Sequence, residues 1–239
     1  MILQPQFVMP GQSSEGLITQ NLVGFWECNE GAIATLSDSA GSSTLTKVGS
    51  ATTYSASGTI GLNMGNNGYY YCNSNSALSI TGAITVIVRV YIYSAARIGN
   101  QGIVSKYEGE PVPNLRSYAL ILADQNLPGS VGFVVSSDGT FANAKQVTST
   151  AIQHDAWHTL TGRFSPSSEM CLFDGDTKIG SLTADVPASI YASSAKFAIG
   201  SQFRLTYPDY HLKGVVDWVR VYNTDLTDSQ IAQIASGNG

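Results

Sequence analysis

Ile84, Val86, Val88, Val90 and Ile92 recur at every second position, with Thr85, Ile87, Arg89 and Tyr91 between them. Strand side chains alternate faces with period two, so this spacing predicts a strand from Ile84 to Tyr93 with one wholly apolar face. The same reading finds shorter strands at Leu22–Cys28, Tyr69–Cys72, Ile103–Ser105, Tyr118–Leu122 and Gly132–Ser136. Others follow at His158–Phe164, Met170–Phe173, Phe197–Ser201 and Val215–Tyr222. Turn signals separate them. Gly65-Asn66-Asn67-Gly68 precedes Tyr69, and Asp174-Gly175 predicts a hairpin through a type I′ turn, whose two central residues need positive φ. This many short strands predicts an all-β, two-sheet antiparallel sandwich whose inward side chains make one core.

Two segments depart from simple alternation. In G-V-V-D-W-V-R-V-Y, Gly214 to Tyr222, alternation puts Asp217 on the same face as Val215, Val219 and Val221. A buried carboxylate needs a hydrogen-bond partner, a countercharge or a metal, because desolvation disfavours its charged form. Near the C-terminus, Thr227-Asp228-Ser229-Gln230 has the form of a capping box, and Ile231 and Ile234 then supply one apolar stripe. These residues predict one short helix lying on the sandwich.

The first residues differ again. Residues 1–19 contain Pro5, Pro10, Gly11 and Ser13-Ser14 with little periodicity, and read as an extended N-terminal arm to a domain spanning 20–239. Ile2, Leu3, Phe7, Val8 and Met9 make this arm more apolar than free tails usually are. A disordered leader and a strap that docks on a neighbour both remain open.

Composition narrows the function. Of 239 residues, 43% are hydrophobic, enough for a sizeable core, and a single domain of this length is ordinary for an all-β chain. The net charge is −5 with no cluster of Lys or Arg, which argues against a nucleic-acid partner held by phosphate neutralisation. Cys28, Cys72 and Cys171 are odd in number and lack C-x-x-C spacing, so neither a zinc ribbon nor a disulfide scaffold is indicated. A single Cys28–Cys72 bridge and three buried thiols are the alternatives. No apolar run reaches the length of a membrane span, and the N-terminus lacks the basic region and apolar core of a secretory signal. The expectation is synthesis in a cytoplasm without membrane insertion.

Several motifs, in order, resemble a laminin-G-like domain of the concanavalin A-like lectin and glucanase superfamily. L-V-G-F-W-E-C-N-E-G at Leu22–Gly31, S-D-S-A-G-S at Ser37–Ser42 and S-A-L-S-I-T-G-A-I-T-V at Ser76–Val86 carry the first part. W-H-T-L-T-G-R-F at Trp157–Phe164, L-F-D-G at Leu172–Gly175, A-I-G-S at Ala198–Ser201 and the Gly214–Tyr222 stretch carry the rest. The likeness runs from about Leu22 to Ser236 and implies a concanavalin A-like jelly-roll sandwich with one short C-terminal helix. The chain departs from the family pattern where Cys28 replaces an aromatic residue, Asn29 an Asp, Arg89 a Trp and Trp218 a Glu.

The resemblance also implies chemistry. Such domains often hold a structural calcium with residues matching Asp38 and Asp217, and Asn29 and Glu30 lie near enough in the same motifs to add oxygens. The alternative is that loop N–H groups satisfy Asp217 while Asp38 shapes a turn. Sugar recognition needs aromatic faces beside amides and carboxylates, for which the loop candidates are Tyr107, Glu108, Asn114, Tyr207, Tyr210, Asn66 and Asn67. The plainer reading makes these ordinary edge-covering and solvated residues.

Hydrolysis finds less support. The E-x-D-x-x-E and E-x-D-x-E strands of the glycosidases that share this fold are absent, as is G-x-S-x-G. Glu108 and Glu110 alternate, but Gly109 and Pro111 favour a loop, and His154, His158 and His211 fall in loops or at strand edges. The expectation is a non-catalytic recognition or structural module on a virion surface, as a phage head decoration, fibre or tail component. Its arm would bind a protein assembly partner, its loops a host glycan, and a homo-oligomer is compatible with this. The alternatives are a carbohydrate-binding accessory module of a secreted bacterial protein, placed extracellularly or on a cell surface, and a glycoside hydrolase.

Overall fold

The computed structural model describes residues 18–65, 67–94, 100–109, 114–123, 129–202 and 210–237. Two eight-stranded sheets face each other. The first runs β14 (Thr177–Leu182), β13 (Glu169–Asp174), β12 (Ala156–Ser165), β7 (Ile84–Ile92), β16 (Gly214–Tyr222), β5 (Thr59–Asn63) and β4 (Thr52–Ala56), with β1 (Leu22–Glu27) also on β16. The second runs β11 (Ala144–Ala151), β10 (Ser130–Ser136), β9 (Leu115–Ala123) and β8 (Asn100–Glu108), then β15 (Phe197–Ile199), β6 (Tyr69–Cys72), β3 (Leu45–Val48) and β2 (Thr35–Leu36). Every strand pairing is antiparallel.

The apolar face of β7 does what its alternation dictates. Ile84, Val86, Val88, Val90 and Ile92 are fully buried between the sheets, against Leu120, Leu122, Phe133 and Val135 of the second sheet. Burying each such side chain contributes about 1.5–3 kcal/mol. Trp26 stacks on Phe197 at 4.9 Å between ring centroids, and its indole N–H donates to the Ser43 carbonyl at 2.9 Å. Gly162 makes room for Phe133: a Cβ there would lie 2.4 Å from the ring.

The last strand corrects the simple alternation. One edge of β16 runs along β7, whereas its other edge is shared by β5, at Val215–Val216, and β1, at Trp218–Tyr222. At the handover the register slips between Val216 and Trp218, and Asp217 is the extra residue of a bulge. The bulge reverses the phase, so Val216, Val219 and Val221 join the core while Val215 is buried outside that cluster.

The Asp174-Gly175 hairpin forms with a different turn. Asp174 pairs with Thr177, which leaves Gly175 and Asp176 as the central residues, and only Gly175 has positive φ, at +63°. Glycine at the first central position marks the type II′ class, not I′. The helix α1 (Asp228–Ala235) carries the expected capping box between Thr227 and Gln230. Ile231 and Ile234 pack on Ile87, Cys171, Phe173 and Tyr222, covering part of the outer face of the first sheet. The three cysteines are free thiols, two buried and Cys72 half-buried. Among the described residues, no helix is long and apolar enough to cross a membrane.

Candidate functional site

On the outer face of the second sheet the side chains turned away from the core are small or apolar. Tyr107, Ala119, Ile121, Ala123 and Val134 form a buried cluster with Ala144 beside it. Ala119, Ala123 and Ala144 leave a shallow floor, and taller groups rise around it. Phe141 stands in the connection between β10 and β11 with 75% of its surface exposed. Gln202 and Tyr210 approach from beyond β15, and Asn100 and Gly109 from the two ends of β8. Together they enclose a cavity of about 370 Å³, within the ordinary range for a small-ligand site.

Two polar residues of this cavity are buried without full satisfaction. Arg116 is 8% exposed, its guanidinium carbon lies 5.8 Å from the ring centres of both Tyr107 and Phe141, and its Nε has no hydrogen-bond partner among the described residues. Gln202 is 9% exposed and its Oε1 is likewise unpartnered. The backbone holds Gln202 in place: its N–H donates to the Tyr210 carbonyl at 3.2 Å, and a Cβ on Gly102 would lie 2.2 Å from its nitrogen. Buried polar atoms are nearly always paired, and these are two of the exceptions among the described residues.

The loop residues expected to meet sugar divide. Tyr107 and Tyr210 line the cavity. Glu108, next to Tyr107, is half-buried and outside the lining. Asn114 is exposed at φ +66°, its carbonyl pressed against Gly139, and serves the turn. Asn67 accepts from the Ser50 N–H at 3.2 Å and from the Ser50 hydroxyl, also away from the cavity. Tyr207 and Asn66 lie outside the described residues. Sequence reading missed Arg116, Phe141 and Gln202. An aromatic residue inside the turn-rich S-S-D-G-T-F-A-N and a lone cation in an uncharged strand were the available signals.

The residues expected around calcium have protein partners or stand exposed. Asp38 spends its carboxylate on the loop it shapes: Oδ1 accepts from the N–H groups of Phe25, Ala40 and Gly41 at 2.9–3.0 Å, and Oδ2 from that of Ser43 at 3.0 Å. Asp217 Oδ2 accepts from Arg89 Nη1 at 2.6 Å. Asn29 and Glu30 are exposed. Among the described residues no three His, Cys, Asp or Glu side chains converge as a metal site requires, and calcium needs six to eight oxygens.

Comparison with known proteins agrees with the architecture. The binding domain of botulinum neurotoxin DC, solved in complex with rat synaptotagmin II, superposes with a TM-score of 0.66 at 12% identity, covering 93% of this chain. The chain spans about half of that domain, 53% of its length. Domain 4 of AbnA, an extracellular arabinanase from Geobacillus stearothermophilus solved with arabinotriose, superposes at 0.65 with 17% identity, covering 90% of this chain and 98% of that one. The binding domain of Paraclostridial Mosquitocidal Protein 1 gives 0.66 at 12% identity, over 92% of this chain and 53% of that one. At such identities these likenesses speak to fold. No curated protein matches. A laminin-G family model, described as the concanavalin A-like lectin/glucanases superfamily, matches residues 64–232. That match spans more than half of the chain, and with the two-sheet sandwich it makes the protein a member of this superfamily.

Proposed function

We propose that the protein is a non-catalytic recognition module that holds a saccharide in the cavity over Tyr107 and Ile121. The observation that carries this reading is the coincidence of exposed aromatic surface, at Phe141, with buried and unpaired polar atoms on Arg116 and Gln202. A sugar ring offers both complements, an apolar C–H face for the aromatic ring and hydroxyls for the amide and guanidinium. The arabinanase domain solved with arabinotriose supports it as a sandwich of matching length and sugar-bound. Glycosidase chemistry needs two carboxylates about 5–9.5 Å apart, and no Asp or Glu lines the cavity among the described residues.

The same reading places the module on a surface, a virion in the first instance, with residues 1–19 as its attachment to an assembly partner. Support comes from where the arm joins the sandwich. Ile18 packs beside α1, and its carbonyl accepts from the Tyr222 hydroxyl at 3.0 Å. An arm leaving there starts from a firm anchor.

A glycan array probed with the wild-type chain and Phe141→Ala tests the site. Phe141 is mostly exposed, so its removal leaves the fold intact. The expected result is a set of saccharide signals that fall roughly tenfold in the variant, the loss of about 1.4 kcal/mol of stacking and contact. An array without signal overturns the reading, and release of reducing sugar from a polysaccharide panel overturns its non-catalytic part. Removing residues 1–17 should keep the melting temperature and abolish incorporation into the particle.

A further inference from the structure

We infer that the saccharide held in this cavity is an acidic one and that Arg116 recognises its anionic group; this rests on the saccharide reading above. An arginine keeps its charge at every physiological pH. Burying that charge without a partner is costly, several kcal/mol after relaxation. Arg163, as deeply buried as Arg116, has Asp228 at 2.5 Å and Glu169 at 3.0 Å. Arg116 is equally removed from water, yet among the described residues no ion pair or side-chain hydrogen bond satisfies it and no Asp or Glu lines the cavity.

The guanidinium is also held in place. Tyr107 and Phe141 stand 5.8 Å from it, each ring offering its electron-rich face. Tyr107 lies directly across from Arg116 in the β8–β9 register, so the backbone fixes that pairing. A planar fork clamped between two rings loses little freedom when it takes a carboxylate or sulfate in a bidentate grip.

Gln202 narrows the occupant further. It lines the same cavity, and its amide carries both a donor and an acceptor, a pairing that an inorganic anion fills poorly. An acidic sugar presents both groups at once, an anion to Arg116 and a hydroxyl to Gln202, with a ring face left for Phe141. The shared chemistry is therefore a polyol that carries a carboxylate or a sulfate.

Calorimetry with four probes separates the outcomes: a uronate oligosaccharide, its carboxyl-reduced neutral counterpart, a sulfated oligosaccharide and inorganic phosphate. The expected result is binding of the uronate or sulfated probe, with the preferred one identifying the anion. The neutral counterpart should bind roughly tenfold or more weakly, a difference of about 1.4 kcal/mol. Arg116→Gln should remove the preference for the acidic probe, and Arg116→Lys should restore part of it, since the charge returns without the fork. The melting temperature of Arg116→Gln should hold or rise, because an unpaired buried charge has been removed.

Equal affinity for acidic and neutral probes, both weakened by Phe141→Ala, would overturn the acidic reading and leave the saccharide reading standing. Phosphate alone binding as tightly as the uronate would overturn the role given to the hydroxyls. Silence from every saccharide would overturn both readings together.

Discussion

Arg89 and Asp217 stand 128 positions apart in the chain, and their side chains meet at 2.6 Å on the outer face of the first sheet. The bulge that displaces Asp217 from the valine alternation sets it beside β7, where Arg89 lies opposite Trp218. The Arg89 guanidinium also rests 4.9 Å from the Trp157 ring centre, so a neutral partner would not fill its place. This chain answers the buried-carboxylate problem with a guanidinium.

The first prediction concerns calcium. With Asp38 committed to backbone N–H groups and Asp217 to Arg89, a chelator should leave the melting temperature unchanged, and added calcium should not raise it. Arg89→Ala should cost about 1–3 kcal/mol, the penalty for leaving a mostly buried acceptor unpaired. A chelator-induced drop in melting temperature would sink this account of Asp217.

A second prediction follows from His158. Its Nδ1 lies 2.7 Å from Asp174 Oδ2 and its Nε2 2.6 Å from the Gln153 carbonyl. With acceptors on both sides, the ring is best satisfied when both nitrogens carry protons. Burial works against the charge, but the Asp174 hydrogen bond and charge, with the Gln153 carbonyl, outweigh it and hold the pKa above the usual value. The folded chain therefore binds this proton more tightly than the unfolded one. The stabilisation is complete below the ordinary imidazole pKa of ~6.5 and is lost as pH rises through the elevated folded value. NMR titration should show that elevated value, and Asp174→Asn should lower it. An unaltered titration in the variant would count against the pair.

How much of this was readable depended on how local each cause was. β7 announced itself because five apolar side chains alternate within one segment, and α1 because its capping box is complete in four residues. Thr52–Ala56, Ala144–Ala151 and Thr177–Leu182 went unread: they are half-exposed strands rich in Thr, Ser and Lys, held mainly by pairing to better-defined neighbours. The phase of β16 was unreadable for a related reason, since its bulge arises where β5 gives way to β1. Tyr107 and Tyr210 were reachable as loop-edge aromatics. Arg116 was not, because its meaning comes from Phe141 and Gln202, brought to it from 25 and 86 residues away by the sheet.

Lys106 supplies a third prediction. It is fully buried, and its ammonium donates to the Ala195 carbonyl at 2.6 Å and the Ser74 hydroxyl at 2.7 Å. Burial pushes its pKa down to about 8, against a smaller upward pull from Cys72 and Glu108. Unfolded lysine keeps its proton to ~10.4, so between these values the unfolded chain holds more protons and stability rises with pH. Buried thiols act oppositely: Cys72 and Cys171 are pushed up to about 11. The clean measurement is the stability of the wild type minus that of Lys106→Met, followed from pH 7.5 to 10.5 by denaturant unfolding. That difference should rise with pH, and a flat one would show that Lys106 does not titrate in the fold.

Arg163 joins α1 to the sandwich and carries the fourth prediction. Its Nη1 donates to the Leu226 carbonyl at 2.8 Å and to Asp228 Oδ1 at 2.5 Å, and its Nη2 donates to Glu169 Oε2 at 3.0 Å. Asp228 is the first residue of α1 and Glu169 the first of β13, so one guanidinium clasps the start of the helix to the sheet. Removing it leaves the Leu226 carbonyl and Asp228 Oδ1 without this donor, while Glu169 keeps Lys178 and Ser181. Arg163→Met should cost about 1–3 kcal/mol, the range for leaving a buried acceptor unpaired, since Asp228 is largely exposed. Arg163→Lys should recover part of this, because the charge remains while the planar fork is lost. The loss should not be uniform. Ile231 and Ile234 still bury their side chains on Phe173 and Tyr222, but the helix start is released, so amide exchange in α1 should accelerate well beyond that in β7. If exchange in α1 and β7 accelerates equally, the clasp is no more than one part of a uniformly cooperative fold. If α1 alone loosens, the helix is a separately opening unit whose closure depends on Arg163.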